Sequence, residues 1–275
     1  KLGCEDFKTV FAYICFKSYF AGEFEFSESR LRGYIQNAKE KFNSLQFSVD
    51  DFQEDLTLSV CMLIKDGLDY RFAHRSFQEY FAAWYTCKIT DELQQKLLSS
   101  WLGESNAVVT DEYLSMLFNL QSEKVNKIIL CPGIKKLKKL HDDQGFTIDL
   151  LERLFKGISI NPVSREEKNH YIIALVIKDR YLCNVVQMTC RLNHYRYAQG
   201  DARDDALARQ IKKKAPSREN QWSFSEVTKI VSTEELLQNL SWFEHQYQFC
   251  ISILQQNADN KALHKKKVAS IIDEL

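Results

Sequence analysis

The sequence predicts a mainly α chain in two parts. Residues 1–90 read as helices built around one small β-hairpin, and residues 91–275 read as an all-helical C-terminal domain. Three observations predict this. Only nine glycines and three prolines punctuate 275 residues, which favours long regular elements. Apolar residues recur at helical spacing along most of the chain. The period changes toward two most clearly around residues 60–74.

The elements follow in order. Residues 5–20 carry Phe7, Val10, Phe11, Ile14 and Cys15 at helical spacing. Gly22 and the alternating run Phe24-Glu25-Phe26 separate them from a second helix over 29–43, with Leu31, Tyr34, Ile35, Ala38 and Phe42 on one face. Ser48, with Asp51 three residues on, starts a third helix that should bury Phe52, Leu56 and Val60. Val60-Cys61-Met62-Leu63-Ile64 is then a short apolar run. Asp66-Gly67 suits a tight turn, and Asp69-Tyr70-Arg71-Phe72-Ala73-His74 alternates, which makes a hairpin. Ser76 with Glu79 reads as a capping box for a helix burying Phe77, Tyr80, Phe81 and Trp84. Three helices, a hairpin and a further helix make a winged-helix-like unit.

Beyond residue 90 the pattern stays helical. Thr110-Asp111-Glu112 opens a segment with Leu114, Leu117 and Phe118, and Cys131-Pro132-Gly133 breaks it. Ile134, Leu137 and Leu140 form a stripe between lysines, and Asn161-Pro162 reads as a turn. Ser164-Arg165-Glu166-Glu167 reads as a second capping box, opening a helix through Ile172, Ile173, Val176 and Ile177. Residues 200–205 and 212–220 read as loops, and 223–256 and 260–274 as helical, with a cap at Ser232. No repeat with a solenoid period is visible.

Composition excludes several classes. Lysine plus arginine and aspartate plus glutamate both number 37, so the basic excess of a nucleic-acid binder is missing and no such partner is expected. The eight cysteines are scattered without a C-x-x-C pair, which argues against zinc and for reduced core thiols in a cytoplasmic protein. No apolar run is long enough to span a membrane, and no signal peptide is visible. A chain beginning at Lys1 reads as part of a longer protein.

The run from Tyr70 to Ala83, Tyr-Arg-Phe-Ala-His-Arg-Ser-Phe-Gln-Glu-Tyr-Phe-Ala-Ala, is the most informative stretch. It resembles the F-x-H-x-S/T-F-Q-E-F/Y-F-A-A signature at the end of the winged-helix region of NACHT proteins. These are signalling ATPases of the STAND class, which includes animal NOD-like receptors and bacterial anti-phage proteins. The stretch from Asp55-Leu56 through Cys61 and Gly67 to Tyr70 also looks like the bacterial members. The resemblance covers residues 1–90, and 91–275 lie outside it. It implies a switch in which an upstream NACHT NTPase domain binds ADP or ATP with Mg. The winged-helix histidine, here His74, would reach the phosphates in the closed state. An imidazole N–H can donate to a phosphate oxygen, and a cationic form adds charge assistance. A helix N-terminus beside it suits an anion.

Arg75, Gln78 and Glu79 stand as candidate interdomain contacts, with an ion pair for Arg75 and a helix cap as alternatives for Gln78 and Glu79. Phe72, Phe77, Tyr80 and Phe81 are at core spacings. The implied remainder is a helical region that recognises a protein trigger from phage or stress, an effector upstream, and a homo-oligomer on activation.

Two other readings compete. Arg165-x4-His170 fits the spacing of the all-helical HEPN ribonucleases, where Arg and His at a dimer seam move protons on a phosphate, although Glu166 stands where that family prefers Asn, Asp or His. A DNA-reading winged helix is disfavoured because the hairpin holds Lys65, Asp66, Asp69 and Arg71 in balance. The chain also has no G-x-x-x-x-G-K-[S/T] run to cradle phosphates. It should therefore hydrolyse no ATP: inorganic phosphate release should stay at the buffer blank, and turnover above it would overturn the regulatory reading.

Overall fold

The computed structural model describes residues 2–104, 111–165, 168–195, 201–217 and 219–273. The chain is mainly α and divides into two compact units. One comprises Lys1–Leu97 and Asn106–Asn126, the other Leu98–Ser105 and Lys127–Leu275.

The first unit runs α1 (Cys4–Phe20), β1 (Glu25–Ser27), α2 (Glu28–Lys41), α3 (Val49–Glu54), β2 (Leu63–Asp66), β3 (Asp69–Phe72) and α4 (Arg75–Thr86), then the first half of α5 (Asp91–Glu104) and α6 (Tyr113–Val125). Hydroxyls start two of the helices as N-caps: Ser27 accepts from the Arg30 N–H, and Ser48 from those of Asp50 and Asp51. The helix of α3 widens into a π-type turn over Asp55–Ser59 and stops, so Phe52 and Leu56 are buried but Val60 is turned outward, against the expectation that it joins the core. β2 and β3 pair antiparallel through the two-residue turn Gly67-Leu68, where Gly67 takes φ +65°, a value only glycine adopts without strain. β1 adds to the other side of β3, giving the order β1-β3-β2. Phe26, Leu63, Tyr70 and Phe72 of this sheet close on Val10, Phe11, Ile14, Leu31 and Ile35 of α1 and α2.

The second unit departs from the all-helical expectation. After a π-helical stretch (Asn126–Leu130) come α7 (Cys131–Gln144) and α8 (Ile148–Leu154), then β4 (Phe155–Arg165), β5 (Lys168–Ile177) and α9 (Arg180–Leu192). α10 (Asp201–Lys214), β6 (Gln221–Trp222), α11 (Phe224–Val227), α12 (Thr233–Asn239) and α13 (Ser241–Asp273) follow. The strands form an antiparallel sheet in the order β5-β4-β6. Ile172 to Ile177 is therefore strand, not helix. Ser164 and Arg165 end β4 rather than cap a helix, while Glu166 and Glu167 lie outside the described residues. The run is apolar on both faces, so periodicity could not separate a short buried strand from a helix.

Asn161-Pro162 lies within β4, opposite Ile172 and Tyr171, instead of forming a turn. Ile160 donates its N–H to the Asn220 carbonyl on the β6 side. A period of two puts the nitrogen of Pro162 on that same side, beyond the reach of β6, which pairs only with Ile158 and Ser159. Cys131-Pro132-Gly133 opens α7 rather than breaking a helix, since a first turn needs no proline N–H. Residues 201–205 and 212–214 are helical, in α10, where loops were expected. Ser232 caps α12 as expected, and Ser223 with Glu226 makes a full capping box that opens α11.

Two glycines are set by close approach. A Cβ at Gly133 would stand 2.7 Å from the Val185 side chain, where α7 crosses α9. A Cβ at Gly157, with φ +154°, would stand 2.1 Å from the Trp222 carbonyl oxygen. Because that neighbour is backbone and cannot swing away, Gly157→Ala should destabilise the second unit by at least about 2 kcal/mol. Urea denaturation followed by circular dichroism checks this, and a change under about 0.5 kcal/mol would contradict it.

Candidate functional site

The site is built where β3 hands over to α4. The Ala73 N–H donates to the Met62 carbonyl at 2.9 Å, the last bond of the hairpin. His74 then takes extended backbone angles and is itself the N-cap of α4: its Nδ1 accepts the Ser76 N–H at 3.2 Å and lies 2.6 Å from Ser76 Oγ. The capping box read at Ser76 and Glu79 is thus replaced by an imidazole cap two residues earlier. With Nδ1 engaged at the helix start, Nε2 takes no part in the cap. The ring is exposed and meets Phe77 edge-on at 6.3 Å. What the geometry offers at the helix N-terminus is an exposed imidazole beside helix amides that favour an anion.

Arg75 lies next to it. Its guanidinium covers the Phe24 ring at 4.2 Å, and its Nε donates to Glu79 Oε1 at 3.1 Å. Arg75 is half exposed, whereas the Glu79 side chain is 5 % exposed. Gln78 is fully buried, and its amide nitrogen donates to Ser18 Oγ and to the Glu23 carbonyl, both at 2.8 Å. The two candidate interdomain residues Gln78 and Glu79 are therefore turned into the first unit, and only Arg75 of the three reaches solvent.

The carboxylate of Glu79 belongs to a buried cluster. It accepts the Glu112 N–H and lies near Asp111, which accepts the Tyr19 hydroxyl at 2.5 Å. Tyr19 stacks on Tyr113 at 4.6 Å, and the Tyr113 hydroxyl meets Thr86 Oγ1 at 2.8 Å. Burial, then the charge of Asp111, push the Glu79 carboxyl up, and Arg75 opposes this only in part. Burial likewise pushes the Tyr19 and Tyr113 hydroxyls up.

Since α4 buries Gln78, Glu79, Ala82, Ala83, Tyr85 and Thr86, the aromatic face expected to be core points the other way. Phe72 is core and Phe81 packs against it, but Phe77 is 37 % exposed and Tyr80 38 %. Trp84 is half-buried between the ammonium groups of Lys8 and Lys88.

The competing Arg165 and His170 pair does not share a helix. The two lie on opposite strands of the β4–β5 hairpin, with Val163 opposite His170 and Arg165 opposite Lys168. The side chain of Arg165 lies outside the described residues. His170 Nδ1 stands 3.8 Å from Asp205, whose carboxyl is held down chiefly by Arg209 at 2.9 Å. Tyr195 packs on Phe249 at 4.5 Å. Among the described residues, no group of His, Cys, Asp and Glu could hold a metal ion, and no helix is long and apolar enough to cross a membrane.

The raised carboxyl of Glu79 has a definite sign. The unfolded chain ionises it near the usual value of 4.5, but the folded chain only at higher pH. The first unit should therefore lose stability as pH rises from that value through the folded one. Glu79→Gln should flatten this loss, seen as a smaller fall in Tm between pH 4.5 and pH 7 than in the wild type. Equal falls in both proteins would contradict the buried-carboxylate reading.

Comparison with curated proteins and with solved structures finds no match. A protein-family model does match, over residues 118–275, and it describes a Short NACHT-associated C-Terminal domain, family 7. The match falls on the tail, which its own sequence pattern left unnamed, while the run from Tyr70 to Ala83 lies upstream of it. Both ends thus point to NACHT proteins, and with more than half of its length matched, this chain belongs to the family of short NACHT-associated C-terminal domains, family 7.

Proposed function

We propose that the chain is the regulatory and sensing C-terminal part of a STAND-class NACHT ATPase. In this reading residues 1–90 are a winged-helix module that relays nucleotide state, and residues 91–275 recognise a trigger. The observation that carries it is His74: an exposed imidazole, fixed through Nδ1 as the cap of its own helix. The element order α1-β1-α2-α3-β2-β3 with the sheet order β1-β3-β2 supports the winged-helix reading. An upstream NACHT domain would hold ADP or ATP with Mg, since this chain has no phosphate-cradling loop of its own. Release of His74 on exchange for ATP would free the molecule to oligomerise and drive an effector. The bacterial character of the stretch from Asp55 to Tyr70 favours anti-phage defence, with a phage or stress protein as trigger.

The test uses the full protein with its upstream domain. A hydrogen bond to a charged phosphate contributes about 1.5–3 kcal/mol, so His74→Ala should weaken ADP binding by roughly 10-fold to 100-fold and raise activity without a trigger. His74→Asn keeps a good helix cap but not the imidazole, and should show the same loss of ADP with α4 intact. ADP affinity unchanged in both variants would overturn the sensor role.

A further inference from the structure

The second unit holds two thiols that its packing brings together from distant parts of the sequence. Cys190 lies in the last turns of α9 and Cys250 in α13, and both are buried. Cys250 Sγ lies 3.8 Å from the Val186 carbonyl oxygen, one helical turn before Cys190. Side chains on a helix lean toward its N-terminus, so the Cys190 thiol lies over that same turn. The Cys250 thiol donates to the Val186 carbonyl, and the Cys190 and Cys250 side chains interact directly. Neighbouring contacts hold the register: the Tyr195 N–H donates to the Cys190 carbonyl at 2.9 Å, and Tyr195 packs on Phe249 at 4.5 Å. The remaining cysteines differ. Cys4 and Cys61 are exposed, Cys87 and Cys131 are half-buried, Cys15 is sealed in the first unit, and Cys183 donates to the Leu154 carbonyl.

We infer that Cys190 and Cys250 are a peroxide-responsive dithiol, a modification site that converts to a disulfide joining α9 to α13. Cys190 is the attacking sulfur. Contact with Cys250 holds its thiol below the usual range, whereas the Cys250 thiol is pushed up. It also retains 6 % exposure, against none for Cys250. The Cys190 thiolate attacks one oxygen of hydrogen peroxide, the O–O bond breaks, and a sulfenic acid and hydroxide form. The hydroxide takes the Cys250 proton to give water. The Cys250 thiolate then attacks Cys190 sulfur, the S–S bond forms, the S–O bond breaks, and the departing hydroxide leaves as a second water after protonation from solvent. Two thiols are oxidised by two electrons and one peroxide is reduced to two waters. The new bond closes a long loop of the trigger-sensing region, which restricts the unfolded chain more than a short loop would.

The experiment uses the 275-residue chain and hydrogen peroxide itself. After a short exposure, quenching and unfolding in an alkylating reagent, mass spectrometry should find an intrachain Cys190–Cys250 disulfide with those two thiols protected. Tm should rise by several degrees and return on addition of dithiothreitol. Cys190→Ala should abolish both changes, and Cys4→Ser with Cys61→Ser should preserve them. Both thiols fully alkylated after peroxide treatment would overturn the inference, as would Cys190 found only as sulfinic or sulfonic acid or joined to another chain. The mass readout on the unsubstituted protein decides the matter even if a cysteine variant fails to fold.

Discussion

The first unit is organised by buried polar groups on α4. Gln78 has no exposure, and its amide nitrogen is met by the Ser18 hydroxyl and Glu23 carbonyl, from α1 and the link that follows. The next residue, Glu79, collects the Arg75 guanidinium and the Glu112 N–H. A buried donor or carboxylate left without partners costs more than a methyl group left out of the core. These bonds therefore fix the rotation of α4 about its axis. That rotation sends Phe77 and Tyr80 outward and leaves His74 at the open end of the helix.

This explains why the sequence located the site but misread its inner face. The aromatic residues at 77, 80, 81 and 84 have the spacing of an apolar stripe, and periodicity alone assigns such a stripe to the core. The small residues Ala82 and Ala83, which let α4 approach α1, carry little periodic signal although they are fully buried. Histidine is also absent from the usual N-cap preferences, so Ser76 was the natural choice of cap. Where conventional chemistry governs, as at Ser48 and Ser232, the sequence marks the helix start directly.

In the second unit, the helix start at Ser232 was legible and the strands were not. Arg180 to Leu192 carries a strong one-sided stripe, whereas Ile172 to Ile177 is apolar throughout. β-Branched residues were the available signal for a strand there. Charged residues around 164–167 imitated a helix start. The capping box at Ser223 lies directly after the two-residue strand Gln221–Trp222, too short to leave a pattern of its own. Gly157 is the residue that announces the sheet, since a strand glycine commonly marks a close backbone approach. The family identity of the tail is likewise absent from any short motif and is spread over residues 118–275.

The proline inside β4 carries a consequence for solubility. Beyond Ile160 no strand among the described residues pairs with that flank, and open flanks recruit foreign strands by offering donors and acceptors in sequence. At position 162 the ring removes a donor on this open flank and leaves the pairing with β5 untouched. An incoming strand would meet a gap in the ladder at that point, so the longest hairpin of the protein is guarded against sheet-to-sheet self-association by one residue.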